Sequence, residues 1–438
     1  MYVHPDTDQL PGEPRRVRAA TAPFAVMTTL YGLSVTALLL LTLGLWPLAL
    51  LGVAVWGWVP CQPRADQVLR YLKAAWTERP PPPGIPPLSR VWLSLCVLQK
   101  VALTPLRLLA WHLDELLYGR RLRDTPVVAP VIVLSAARSG STQIARYLEE
   151  DPGLAAPAMI QCVFPYLWLW RLTRATLGRV LPAETLDDLL HRSMTREFIE
   201  RHELDALRTD SFEVMYFALQ LIHLSPMFGP AFMADEFVFA GTAAHNRRMW
   251  DQDFPAFIDR LGRKTLLFSG LGPDGAPRRL FIKGHFLDGA DAVARRFPDA
   301  RFLTVIRKPI SRIRSQLNHM HGNPFEESLG AAPWAWLTEV IVPAEVAYCR
   351  AEQAWFTRAE GPARTVVRFS DYVSDLEGTM RTVYRACLDT EALPPHVPTE
   401  HAPRERTSYT VNRSLEQLGV DSDAVEAQLQ GYIAWCAT

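Results

Sequence analysis

The stretch VIVLSAARSGSTQIARYLEED (residues 131–151) joins an apolar run, a hydroxyl-rich loop and a helix-like pattern. Val131–Leu134 has the short apolar sequence typical of a buried parallel strand, and apolar residues return at helical spacing after Thr142. A strand that leads through a tight loop into a helix directs backbone N–H groups and the positive end of the helix dipole at one point, which favours an anion. The residues predicted to bind this anion are Arg138, Ser139, Gly140, Ser141 and Thr142.

This loop differs from the G-x-x-x-x-G-K-[ST] loop of nucleotide triphosphatases, because Arg138 stands before its hydroxyl residues and no lysine does. It can bind a phosphate through hydrogen bonds, but it lacks the lysine that reaches β- and γ-phosphates. The five residues alone are equally typical of an ordinary strand–turn–helix junction. The anion site therefore requires a second signal.

The second signal is the stretch RRLFIKGHFLDGADAVARRFPDARFLTVIRKPISRIRSQL (residues 278–317). Two apolar runs, Leu280–Ile282 and Phe302–Ile306, flank the helix-like segment Gly289–Phe297. This order predicts a βαβ unit with parallel strands and a right-handed crossover. The chain is therefore expected to have an α/β fold, in which helices flank a P-loop-like parallel sheet.

Basic and hydroxyl residues follow each predicted strand. Lys283 and His285 come after the first strand of the βαβ unit and Arg307 after the second, as Arg138 does in the opening stretch. Ligands of open α/β sheets collect at these carboxyl ends, so the three strands predict one anion site. Ser315 stands eight residues after Arg307, and this pair is expected to bind a second phosphate away from the first loop. The sequence thus suggests a nucleotide with phosphates at both ends.

These motifs resemble those of the sulfotransferases that use 3′-phosphoadenosine 5′-phosphosulfate (PAPS), from about Val131 to the C-terminus. ARSGST (residues 137–142) resembles the family's 5′-phosphosulfate loop, and VIRKPISRIRS (residues 305–315) resembles its 3′-phosphate element. FIKGHF (residues 281–286) is similar to the branch that contains bacterial membrane-linked members and protein-tyrosine sulfotransferases. The resemblance implies that Lys283 lies beside the transferring sulfuryl group. It also implies PAPS as the co-substrate, with no metal required.

The chain departs from this family pattern at two places. Ala137 replaces the proline that usually opens the loop. Residues 156–161 (APAMIQ) carry no carboxylate where the tyrosine-specific branch has its glutamate base. The base is therefore expected elsewhere in the chain, and a protein tyrosine is not the expected acceptor.

Two residues are candidates for the base that takes the proton of the acceptor hydroxyl. His285 suits this role because an imidazole has a near-neutral pKa, although a packing or capping histidine would fit the sequence equally well. Glu236, in the acidic pair Asp235-Glu236, could enter the acceptor cleft or could instead cap a helix. With Lys283 stabilising charge on the transferred group, the predicted catalytic residues are Lys283, His285 and Glu236.

The N-terminal region has no charged side chain over residues 19–63. This length suffices for two helical passes of a bilayer, Phe24–Leu43 and Leu45–Val59, with a break at the glycine and proline of residues 44–47. Arginines precede and follow the run, which favours a cytoplasmic location for both flanks and for the catalytic domain. A cleaved signal peptide or a single anchor is the alternative.

The predicted organisation has four parts. They are a basic tail (1–23), a transmembrane hairpin (24–60), a juxtamembrane helical region with a proline-rich linker (61–124) and the catalytic domain (125–438). Within the catalytic domain, residues 153–275 are expected to form a helical insertion whose aromatic residues suit a hydrophobic or lipid-like acceptor. The helix expected at residues 89–118 lies either on the membrane surface or inside the soluble domain.

Composition narrows the function further. Lys+Arg and Asp+Glu both number 46, so no bulk charge favours nucleic-acid binding. The six cysteines have no CxxC spacing, which argues against a zinc site or a disulfide framework. The predicted function is a membrane-anchored sulfotransferase that moves a sulfuryl group from PAPS to a hydroxyl. A P-loop kinase or triphosphatase and a non-catalytic membrane scaffold are the alternatives.

Overall fold

A computed structural model describes most of the chain. The described residues are 22–79, 85, 87–176, 205–236, 246–273, 275–320, 333–401 and 413–437. The basic tail predicted at residues 1–23 lies almost entirely outside these ranges, as do most of the proline-rich linker and parts of the 153–275 insertion.

Five strands form a parallel sheet in the order β2-β3-β1-β4-β5. They are β1 Val131–Leu134, β2 Leu154–Ala155, β3 Arg279–Gly284, β4 Arg301–Ile306 and β5 Ala363–Arg368. The three apolar runs predicted to be strands form β1, β3 and β4, with β1 in the centre. Because every pair is parallel, the carboxyl ends of all five strands lie at one edge of the sheet.

Helices cover both faces of the sheet, and four helices precede the first strand in the described part of the N-terminal region. The α-helices are α1 Ala22–Leu43, α2 Trp46–Trp56, α3 Ala65–Thr77, α4 Pro87–Asp124, α5 Ser141–Glu149, α6 Met159–Val163, α7 Leu167–Ala175, α8 Phe212–Leu219, α9 Pro230–Glu236, α10 Phe254–Ser269, α11 Ala290–Arg296, α12 Pro309–Met320, α13 Pro333–Phe356, α14 Phe369–Ser374, α15 Leu376–Leu388, α16 Ser422–Gln428 and α17 Gln430–Ala437. The 3₁₀ helices are Ile222–Phe228, Leu287–Gly289 and Glu416–Leu418, and Met249–Asp253 is a π-helical turn. The crossover helix predicted between the two strands of the βαβ unit is α11.

The two faces of the sheet bury alternate residues of its strands. Ile132 and Ile282 face a cluster that contains the aromatic rings of α10. Val133 and Leu303 face the opposite cluster, which contains apolar residues of α5 and α15. Burial on both faces explains why the central strands read as continuous apolar runs.

α4 includes the helix predicted at residues 89–118 and continues through Pro105. Its inner face belongs to the main core, where Trp111 is buried. Asp114 of α4 and Lys264 of α10 form an ion pair of 3.0 Å, and neither side chain is exposed to solvent. Of the two locations expected for this helix, the membrane surface and the interior of the soluble domain, the second applies to this face of α4.

α1 and α2 pack against α4 and expose much of their apolar surface. Exposed apolar side chains on the three helices include Leu30, Leu33, Leu40, Leu41, Leu48, Leu51, Val55, Leu106, Leu116 and Leu117. By length and composition alone, residues 24–43 and α4 could each cross a membrane, whereas α2 has only 11 residues. Signal sequences and core helices share these properties, so the membrane hairpin stays a prediction.

Candidate active site

The turn that connects β1 to α5 has the backbone of an anion-binding loop. Arg138 and Gly140 have positive φ angles of 62° and 96°. A Cβ atom at Gly140 would lie 2.6 Å from the ring of Phe369, so both the conformation and the space require glycine there. The chain therefore turns tightly enough to direct successive backbone N–H groups at one point.

A buried hydroxyl and the first turn of a helix lie at this turn. The buried hydroxyl of Ser139 has no hydrogen-bond partner among the described residues. Ser141 and Thr142 begin α5, which has no side-chain cap at its N-terminus, so the N–H groups of the first turn lack an intrahelical acceptor. Buried donors of this kind are satisfied by an anion.

The second predicted phosphate element lies directly beside the turn. Ser315 of α12 accepts a hydrogen bond from Arg138 Nε at 3.0 Å. Arg307 Nη1 donates to the carbonyl oxygen of Arg138 at 3.0 Å, and its guanidinium lies 4.4 Å from the ring centre of Phe369. The sequence suggested that the two elements would be apart, but they are in contact. β4 is the neighbour of β1, so the residues that follow these two strands meet.

Lys283 is the next-to-last residue of β3, on the other side of β1, and is paired in register with Val133. Only 4% of the residue is exposed. Its ammonium group donates to Ser211 Oγ at 3.0 Å and lies 3.4 Å from Asp210 Oδ1. Lys283 is therefore a buried cation directed at the segment before α8, and not a surface lysine.

His285 is held by both ring nitrogens. Nδ1 lies 2.5 Å from the backbone oxygen of Ser135, and Nε2 lies 3.1 Å from Ser211 Oγ. Burial, assisted by the positive charge of Lys283, lowers the pKa of His285 to about 3. The imidazole is therefore neutral near neutral pH, with one nitrogen that carries no proton, but its lowered pKa makes it a weaker base than the near-neutral imidazole expected from the sequence.

Glu213 is a buried carboxyl group that the sequence reasoning missed. Its Oε2 accepts a hydrogen bond from the backbone N–H of His285 at 3.0 Å, and a Cβ at Gly284 would collide with the same oxygen. Its other oxygen is buried and has no hydrogen-bond partner among the described residues. Burial raises the pKa of Glu213 to about 7, although Lys283 opposes the shift.

Asp210 and Ser211 were missed as well. With Glu213 they belong to the run TDSFE (residues 209–213), which precedes an apolar helix and looks like an ordinary helix cap. The run stands about 70 residues before Lys283 in the chain, and the packing of α8 against β3 brings the two together. The only available signal was two carboxylates beside a hydroxyl at the start of an apolar helix.

Glu236 lies at the end of α9 and faces α3. Its carboxylate pairs with Arg70 at 2.8 Å and accepts hydrogen bonds from Tyr71 at 3.0 Å and from Asn246 at 3.1 Å. The structure thus groups Glu236 with α3 and brings Lys283, His285, Arg138, Arg307 and Ser315 together at the edge of the sheet. No group of three or more His, Cys, Asp or Glu side chains that could hold a metal ion occurs in the described ranges.

Solved sulfotransferase structures resemble this chain. Sulfotransferase STF9 from Mycobacterium avium has 18% sequence identity and a TM-score of 0.53, over 84% of this chain and 96% of that chain. Sulfotransferase STF1 from Mycobacterium tuberculosis H37Rv has 17% identity and a TM-score of 0.47, over 88% of this chain and 98% of that chain. At these identities the likeness to STF9 concerns the fold alone. No curated protein matches the chain.

A family model described as the sulfotransferase family matches residues 130–390. The matched region is more than half of the chain and contains the anion-binding turn, Lys283, His285, Arg307 and Ser315. The chain therefore belongs to the sulfotransferase family and is a transferase.

Proposed function

We propose that the protein is a membrane-anchored sulfotransferase that moves a sulfuryl group from PAPS to a hydroxyl of a hydrophobic or lipid-like acceptor. The observation that carries this proposal is the cluster at the carboxyl edge of the sheet. There Arg138 follows β1, Arg307 follows β4, Lys283 lies near the end of the neighbouring strand β3, and Ser315 contacts Arg138. PAPS is the usual sulfate donor of the family to which the chain belongs.

The anion-binding turn would hold the phosphosulfate end of PAPS. Ser139 supplies a buried hydroxyl that no described residue hydrogen-bonds, and Ser141 and Thr142 supply the first N–H groups of α5. Arg307 and Ser315 would hold the 3′-phosphate, because the guanidinium of Arg307 and the hydroxyl of Ser315, whose oxygen accepts from Arg138, both lie beside the turn. Charge-assisted hydrogen bonds from arginine to phosphate are among the strong ones in proteins.

Lys283 would stabilise the sulfuryl group during transfer. Sulfuryl transfer, like phosphoryl transfer, spreads negative charge over the equatorial and leaving oxygens, so catalysis depends on positioning and on fixed positive charge. Lys283 is almost completely buried, and a charge in such a low-dielectric site exerts a stronger field than it would in water. PAPS supplies the activated sulfuryl group and a stable leaving bisphosphate.

His285 is the base that we propose for the acceptor proton. Its neutral imidazole lies beside Lys283 and can accept a proton at Nε2. Glu236 is the second candidate, but its carboxylate pairs with Arg70 and accepts hydrogen bonds from Tyr71 and Asn246. A His285→Ala enzyme that keeps its rate, together with a Glu236→Gln enzyme that loses it, would transfer the role to Glu236.

The acceptor would bind among the helices of the 153–275 insertion. Tyr216 and Phe217 of α8 pack against Phe254 and Trp250, and this apolar group begins directly after Ser211. These rings are buried in the core, and they would flank the hydrocarbon part of an alcohol that binds beside Ser211.

The exposed apolar side chains of α1 and α2 would contact lipid, and α4 would join the hairpin (24–60) to the catalytic domain (125–438). Arg64, Arg70 and Lys73 directly follow the hairpin, which favours a cytoplasmic catalytic domain.

The test is incubation of membranes that contain the enzyme with labelled PAPS, followed by mass spectrometry of the molecules that gain sulfate. We expect a sulfated lipid-like alcohol, and an enzyme with Lys283→Ala serves as the control. A sulfated protein or a water-soluble product alone would contradict the acceptor class.

Nucleotide binding separates the alternatives. A thermal-shift measurement is expected to find stabilisation by adenosine 3′,5′-bisphosphate. Preferential binding of ATP would support a kinase or triphosphatase, and the absence of any nucleotide binding would support a scaffold.

A further inference from the structure

We propose that Ser211 passes the proton of the acceptor hydroxyl to His285, an inference that rests on the proposed sulfuryl transfer. Ser211 Oγ lies between the two residues already assigned to the reaction. It is 3.1 Å from His285 Nε2 and 3.0 Å from Lys283 Nζ. Ser211 is thus the hydroxyl that connects the proposed base to the proposed charge-stabilising cation.

The contact of His285 with Ser135 determines the direction of the relay. A backbone carbonyl oxygen can only accept a hydrogen bond, so the proton of the neutral imidazole is on Nδ1. Nε2 is then an acceptor, and the hydroxyl of Ser211 must donate to it. Because Ser211 already occupies Nε2, an acceptor alcohol can reach this nitrogen only through the serine or by displacing it.

Lys283 makes the serine oxygen suitable for proton transfer. Its ammonium group donates to Ser211 Oγ, which stabilises negative charge on this oxygen while the serine gives up its proton. The remaining lone pair of Ser211 Oγ can accept the hydrogen bond of an acceptor hydroxyl. The serine therefore has the donor and acceptor positions that a relay requires.

Ser211 is held in place by the helix that it precedes. At the other end of α8, Lys100 Nζ donates to the carbonyl oxygen of Ala218 at 2.5 Å, and Tyr216 Oη donates to that of Pro60 at 3.0 Å. These bonds tie α8 to α4 and to the loop after α2. A relay needs its atoms within hydrogen-bond distance, and the anchored helix keeps Ser211 there.

The proposed step conserves atoms and charge. The acceptor oxygen forms a bond to the sulfur of the donor, and the bond from this sulfur to the bridging oxygen breaks, leaving its electron pair on the bisphosphate. The acceptor proton moves to Ser211 Oγ, while the serine proton moves to His285 Nε2. The products are a sulfate ester, the free bisphosphate and a transient imidazolium.

The test uses the full-length enzyme in detergent micelles with labelled PAPS and dodecanol as the acceptor. We expect Ser211→Ala to lower kcat ~100-fold with the KM for PAPS unchanged, and Ser211→Thr to retain most of the rate. Ser225→Ala is the matched control, because Ser225 is a buried serine in the 3₁₀ helix beyond α8. A Ser211→Ala enzyme with wild-type kcat would overturn the proposal.

The dependence of kcat on the fraction of heavy water separates a relay from a structural role. Two protons move in the wild-type step, so we expect a curved plot, which becomes linear in Ser211→Ala. A serine that only supports the fold would leave the curvature unchanged.

Nitrogen NMR of isotope-labelled histidine tests the relay without an acceptor. In the complex with adenosine 3′,5′-bisphosphate, Ser211→Ala is expected to move the Nε2 resonance of His285 downfield, because Nε2 loses its donor. An unchanged resonance would refute the relay. If the wild-type enzyme binds no bisphosphate, the proposed function itself fails, and the same experiment on the free enzyme still tests the hydrogen bond.

Discussion

The carboxyl edge of the sheet and the N-terminal helices depend on different kinds of sequence information. At the edge, Arg138, Lys283 and Arg307 each follow an apolar strand within a few residues, so strand order places them together. In α1 and α2 the only signal is a long run of apolar residues. Such a run indicates that the helices have apolar surfaces, but it does not indicate where they lie relative to the sheet. Local motifs combined with sheet topology therefore locate a site, whereas composition alone does not.

The largest expected effect is at the edge of the sheet. We expect Lys283→Ala and Arg307→Ala each to lower the rate of sulfuryl transfer by at least ~10³-fold, because each removes a positive charge that faces the donor in the proposed site. Radiolabel transfer from PAPS to the acceptor measures this, and circular dichroism verifies that the fold is retained.

Lys308→Ala is the matched control for this pair. Lys308 is exposed and adjacent to Arg307, so its removal changes the net charge equally without changing the site. Wild-type activity in Lys283→Ala or Arg307→Ala, or an equal loss in Lys308→Ala, would refute the site as assigned.

Most of the site could be predicted because its residues stand next to the strands that carry them. The turn at Arg138, the pair Arg307 and Ser315, and Lys283 all obey this rule. Their direct contact could not be predicted, since it depends on β4 lying beside β1. The sheet itself was predictable for the same reason, because strands buried on both faces are continuous apolar runs.

The rest of the site depends on contacts between distant parts of the chain. Ser211 precedes α8 and Glu213 lies in its first turn, so both look like ordinary residues of a helix N-terminus. Only the packing of α8 against β3 brings them to Lys283. Glu236 was a candidate base by its place in the acidic pair Asp235-Glu236, yet its carboxylate forms an ion pair with Arg70 of α3. Charged residues whose partners are far away in sequence have no local signature.

The second prediction concerns α4, which joins the two regions. Lys264→Ala should lower the free energy of unfolding by about 3–5 kcal/mol, because it leaves the carboxylate of Asp114 buried without its cation. Chemical unfolding in detergent measures this. If α4 were only a surface anchor, the substitution would have little effect.

Lys73→Ala is the control for this substitution. Lys73 lies on α3 and is exposed, so its removal leaves no buried charge unpaired. Equal stability losses in the two lysine variants would contradict the view that α4 is part of the catalytic core.

The third prediction is the pH dependence of stability at Glu213. Its pKa is raised from 4.5 to about 7 in the folded protein, so folding favours the protonated carboxyl. The corresponding stability is fully present below pH 4.5 and is lost as the pH rises to about 7. Relative to Glu213→Gln, the wild-type protein should therefore lose roughly 3 kcal/mol over this window. Both proteins contain His285, so its opposite contribution cancels when their unfolding free energies are compared at each pH. If the two free energies changed in parallel with pH, the raised pKa of Glu213 would be contradicted.

The smallest effect distinguishes two glycines of the apolar region. A Cβ at Gly52 of α2 would collide with the ring of His112 on α4, whereas a Cβ at Gly44 meets no atom within 4 Å. We expect Gly52→Ala to lower the free energy of unfolding by roughly 1–3 kcal/mol and Gly44→Ala to change it little. Thermal unfolding in detergent compares the two variants. Equal effects of the two substitutions would mean that α2 is not packed on α4. The apolar hairpin would then be independent of the catalytic domain.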